Sequence, residues 1–113
     1  MLSFMPKSSR LAIDYHKSGL KTLVVLFPNE RDKLELMSQR YQARYNIHFE
    51  GFDLHRFPDN ARLVTFNIQR FVNKVVKLCK KLKADAVFST DEHFGALIAA
   101  IVAKRLGLPG TDP

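Results

Sequence analysis

One cysteine, Cys79, stands in the whole chain, so an internal disulfide is excluded and the fold must hold together on its apolar core. Long apolar runs are missing as well. The longest, residues 23–27 and 96–103, fall far short of the ~20 residues that cross a bilayer. Residues 1–5 are apolar but lack the basic residues in front and the longer apolar stretch of a secretory signal, and they read better as a strand. A cytoplasmic location with no membrane partner is the expectation. Acidic residues are scarce beside basic ones: 11 Asp and Glu against 18 Lys and Arg leave a net charge of +7, which attracts anions over a long range. Much of that excess sits in Arg70, Lys74, Lys77, Lys80, Lys81 and Lys83, interleaved with apolar positions. The solvated face of an amphipathic helix accounts for such a run, so nucleic acid is disfavoured as a partner. Low-complexity runs, repeats and linkers are absent too, and 113 residues with 46% hydrophobic content fit one globular domain, residues 1–113.

What is present alternates between strand and helix patterns. Residues 2–5 read as a strand and residues 10–18 as a short helix, with Ser8 or Ser9 able to cap its start and Gly19 its end. Residues 22–27 are continuously apolar, β-branched and stopped by Pro28, the pattern of a strand covered on both faces. From Asn29, a good N-cap, the spacing of Leu34, Met37, Tyr41 and Tyr45 predicts a helix ending near Tyr45. A strand follows within residues 46–54, with Ile47, Phe49 and Phe52 facing inward and Gly51 at a bend. After the break at Pro58, a helical stripe runs through Val64, Ile68, Phe71, Val72, Val75, Cys79 and Leu82. Residues 84–89 form another short strand. Ser89 and Glu92 have the spacing of a capping box for a helix that buries Leu97, Ile98, Ile101 and Val102, with Gly107 and Leu108 closing it. This alternation predicts an α/β domain with an open, mainly parallel sheet and right-handed crossovers.

In such sheets ligands bind outside the carboxyl ends of the strands. Three loops there lead into helices: the one carrying Lys7, Ser8 and Ser9, the one carrying Asn29, and the one carrying Ser89, Asp91 and Glu92. Helix capping by itself explains the Ser and Asn residues. Asp91 and Glu92 are the best-placed carboxylates for receiving an ammonium or hydroxyl. Neither a G-x-G-x-x-G fingerprint nor a phosphate-binding P-loop sequence occurs. His16, His48, His55 and His93 lack the paired spacing of a zinc motif, and no nucleophile elbow frames a serine.

The segment Ala84-Asp85-Ala86-Val87-Phe88-Ser89-Thr90-Asp91-Glu92, with Ala99-Ala100 and Leu106-Gly107-Leu108-Pro109-Gly110, resembles the domain that opens ATP-grasp ligases such as biotin carboxylase, D-alanine ligase and carboxylate–amine ligases. The resemblance covers nearly all of the chain by pattern and residues 85–110 by motif. It implies a Rossmann-like three-layer fold, an ATP- and magnesium-dependent reaction through an acyl phosphate, and a small-molecule carboxylate or amine as substrate. Nucleotide and magnesium would be held by ATP-grasp domains later in the same polypeptide, not by this chain alone, and a homodimer is an assembly open to it. Only Glu92 matches a position that the family directs at the shared cleft. Pro6-Lys7-Ser8-Ser9 replaces the glycine-rich loop that many members place after the first strand. Because residues 110–113 follow a capped helix where another strand is due, the chain is expected to be the amino-terminal piece of a longer protein. The competing expectation is a small flavodoxin-like binding or regulatory module that uses its basic helix against nucleic acid.

Overall fold

The computed structural model describes residues 19–108. The expected strand at residues 2–5, the helix at 10–18 and the loop of Lys7, Ser8 and Ser9 lie outside the described residues. Among those described, three parallel strands form one sheet: β1 (Lys21–Leu26), β2 (Tyr45–Glu50) and β3 (Ala86–Ser89), in the order β2-β1-β3. Leu26 at the end of β1 pairs with Glu50 on one side and with Ser89 on the other. All three strands therefore end at one level, and their loops leave the sheet side by side. The chain moves from β1 to β2, then crosses back to β3, so strand order reverses between β1 and β3.

The core forms because β1 alternates against two helices. Val24 and Leu26, with Val87 of β3, pack against α3 (Ile68–Leu82) and α4 (Phe94–Leu106). From α3 come Phe71, Val72, Val75, Val76, Cys79 and Leu82, one stripe at helical spacing and all buried. Asn67 starts α3 by accepting the N–H of Arg70 at 2.8 Å. Gly107 ends α4 at φ 71°, and the N–H of Leu108 returns to the carbonyl of Ala103 at 2.9 Å, the left-handed cap its sequence predicts. Cys79 is buried, and desolvation, aided by the charge of Glu50, pushes its thiol up to about 11. Its thiolate is therefore scarce at neutral pH, and the residue acts as a small hydrophobe.

Four expectations need correction. The helix expected over residues 29–45 is two short ones, α1 (Glu30–Leu36) and α2 (Gln39–Gln42), and neither buries a residue. Leu34 is 73% exposed and Met37 59%, because no described element covers the face they share. Tyr45 pairs with Lys21 as the first residue of β2, so the chain has left the helix before it. Val64 is not on the α3 stripe; it lies in a 3₁₀ helix (Asp59–Thr65) that follows the cis Phe57–Pro58 bond, and it is 87% exposed. Leu97 faces outward, while Gly95, Ile98, Ala99, Val102 and Ala103 form the buried side of α4. Ser89 does not cap α4, which begins five residues later at Phe94.

Candidate functional site

Past the aligned strand ends, the loops after β1, β2 and β3 enclose a cleft of about 400 Å³ lined by Phe27, Asn29, Asp53, His55, Thr90, Asp91, Glu92 and His93. It lies at the carboxyl side of the sheet, where strand order reverses. Three of its residues are carboxylates, and no Lys or Arg lines it. The cleft therefore favours a cation over an anion.

Asp91 organises the floor. Its side chain is 6% exposed, and its Oδ1 accepts from Nε2 of His55 at 2.8 Å. Oδ2 accepts the Gly95 N–H at 2.6 Å, so Asp91 takes over the capping that the Ser89–Glu92 spacing predicted. The Asp91 N–H donates to Ser89 Oγ (3.1 Å), whose hydroxyl donates to the carbonyl of Leu26 (2.6 Å) and ties the β3 loop to the end of β1. Glycine at position 95 lets α4 come this close: a Cβ there would run into Ser89 Oγ and stand 2.9 Å from the Asp91 Cβ.

Burial pushes the Asp91 carboxyl up. The Gly95 N–H, the hydrogen bond and charge of His55, and the His93 N–H outweigh that and hold it below its ordinary 3.8. Since the folded value lies below the unfolded one, Asp91 stabilises the fold at pH above about 4, and that contribution is lost as pH falls through the depressed value. Asp91→Asn should therefore lower stability at neutral pH and flatten its decline from about pH 4 to 2, as read by urea melts across that range. An acid limb as steep as that of the parent chain would show that the carboxylate is not held as described.

His55 is the residue that sequence reasoning missed. Its ring is 71% exposed while the carboxylate that orients it is buried, and its backbone N–H donates to Asp53 Oδ1 at 2.9 Å. An ionised carboxylate only accepts, so in the neutral ring the proton sits on Nε2 and Nδ1 is left as an acceptor. An imidazole fixed in one tautomer by a buried carboxylate can take a proton from a bound group. The available signal was position: Asp53 and His55 follow β2 at the sheet's carboxyl edge.

Of the residues singled out from sequence, Asn29, Asp91 and Glu92 line this one cleft. Asn29 caps α1, its Oδ1 accepting the N–H of Asp32 at 2.7 Å. Glu92 is exposed and forms no side-chain hydrogen bond or ion pair among the described residues. Ser89 stands behind the wall, holding Asp91 and Leu26. Lys7, Ser8 and Ser9 lie outside the described residues. No protein-family model, no curated protein and no solved structure matches the chain.

Proposed function

We propose that this chain is the substrate-side, Rossmann-like domain at the amino terminus of an ATP-dependent carboxylate–amine ligase of the ATP-grasp kind, and that its strand-end cleft receives the amine. One observation carries the reading: an acidic cleft at the reversal of strand order contains an imidazole held by a buried carboxylate. The pattern of residues 84–110 supports the choice of family.

An amine reaches such an enzyme as an ammonium, which cannot attack. Asp53 and Glu92 draw it in, and Nδ1 of His55 takes its proton while Asp91 stabilises the imidazolium that forms. The freed nitrogen lone pair attacks the carbonyl carbon of an acyl phosphate. A C–N bond forms, the C–O bond to phosphate breaks, and phosphate leaves with the electron pair, carrying off the second proton that the nitrogen sheds as the amide forms. Nucleotide phosphates do not suit a cleft lined by carboxylates, and among the described residues no three His, Cys, Asp or Glu side chains gather as a metal site requires. The ligase reading assigns ATP and magnesium to ATP-grasp domains elsewhere in the polypeptide.

Glu92 separates substrate contact from folding. Glu92→Gln keeps size and removes charge at an exposed site, so its cost to stability should stay below about 1 kcal/mol. In the whole enzyme the same change should raise KM for the amine about tenfold or more, the loss of one charge-assisted hydrogen bond. Unchanged kinetics would remove Glu92 from the substrate site.

A further inference from the structure

Outside that cleft, a second cavity of about 550 Å³ at the carboxyl end of β2 gathers cations of three separate elements. Lys33, Arg62, Arg70 and Lys74 ring it, over a floor that includes Phe52 and Phe66. Glu50 is the one carboxylate on its wall; Oε1 stands 3.5 Å from Nζ of Lys74. Lys33 reaches Glu30 at 3.9 Å, an exposed pair of little strength. Arg62 and Arg70 have no carboxylate partner among the described residues, and the Arg62 guanidinium sits 5.7 Å from the centroid of the Phe52 ring. Arg70 and Lys74 stand four apart on α3, a like-charge spacing that disfavours a helix.

A solvated helix face explains Lys77, Lys80 and Lys81, which border an open groove along α3 that Arg70 and Lys74 also line. It does not explain Lys33 and Arg62, which lie on other elements and line one cavity with Arg70, Lys74, Phe52 and Phe66. There a bound ring displaces water and strengthens every charge contact beside it. Phe27, a wall of the acidic cleft, packs edge-on against Phe52 and Phe66 at 5.5 and 5.9 Å, so the ring cluster divides two cavities of opposite charge.

We propose that this cavity binds a small phosphate monoester with an aromatic body, Arg62 and Arg70 taking the phosphate and Phe52 and Phe66 the ring. A dianion answers several cations where a carboxylate answers one, and guanidinium forks match phosphate oxygens in pairs. The volume suits a ligand of one or two rings. The site is separate from the strand-end cleft and stands whether or not the ligase reading holds.

Calorimetry of the full chain at low salt and about pH 8, where the monoester is a dianion, tests it with phenyl phosphate, inorganic phosphate and phenol. Phenyl phosphate should bind at least about tenfold more tightly than either of its parts. Arg62→Gln with Arg70→Gln should weaken it at least about tenfold, and Lys33→Gln, also on the cavity wall, by about threefold. Lys77→Gln with Lys81→Gln removes the same charge outside the cavity and should change affinity by less than about twofold. Equal affinity for phosphate and phenyl phosphate, or equal losses in the two double variants, would reduce the site to a diffuse positive field and overturn the proposal. Absence of phenyl phosphate binding overturns it too, including the case in which a single-stranded oligonucleotide binds in its place with steep salt dependence.

Discussion

Val75→Asp should unfold the domain or cost about 4 kcal/mol, while Lys77→Glu, two residues along the same helix, should cost under about 0.5. Val75 is 0% exposed and packs in the cluster shared by β1, β3, α3 and α4, where a carboxylate finds no partner and no water. Lys77 stands in solvent on the opposite face, and a glutamate there relieves a crowd of like charges. Urea melts of the two variants decide the matter. Similar losses would mean that the faces of α3 are reversed and that the core is not the one described.

Gly95→Ala should be nearly as damaging locally, costing about 2–3 kcal/mol although alanine is the better helix former. The added methyl collides with Ser89 and crowds Asp91, so either α4 shifts away or the β3 loop gives up the hydrogen bonds that fix it. Both movements loosen the Asp91 carboxylate, and with it His55. Thermal melts give the stability loss, and the imidazole resonances of His55 give the second readout, because a freed ring loses the magnetic environment that its contact with Asp91 sets. An alanine variant as stable as its parent, with an unshifted His55, would show that the helix start has room to spare.

The parts of the fold legible in sequence are those specified by neighbours close along the chain. Residues 23–27 announce a covered strand by being apolar at every position, and Phe71, Val75, Cys79 and Leu82 announce a buried helix face by their spacing. Gly107 and Leu108 form their cap within one turn. Residues 29–45 misled because a stripe of Leu34, Met37, Tyr41 and Tyr45 shows only that a helix could be amphipathic, not that anything lies against it. Pairing of Tyr45 with Lys21 instead drew that end into the sheet. At the site, Asp91 and Glu92 were visible from their place after a strand. His55 was not, because its partner lies 36 residues away and the contact exists only once β2 and β3 end at one level. Ser89 shows the same limit. Its spacing to Glu92 satisfies a capping rule, yet its hydroxyl is committed to Leu26 across the sheet, and Asp91 caps the helix instead.

The most direct test of the cleft as an amine site is ADP release by the full-length protein, followed against amine concentration for the parent and for His55→Gln across pH. The ligase reading expects release that requires both carboxylate and amine. It expects kcat/KM for the amine to fall about tenfold to a thousandfold in His55→Gln and to lose its low-pH limb, with KM for ATP unchanged. ADP release that needs no amine, or a His55→Gln enzyme with the parent's kcat/KM and pH profile, would contradict the account.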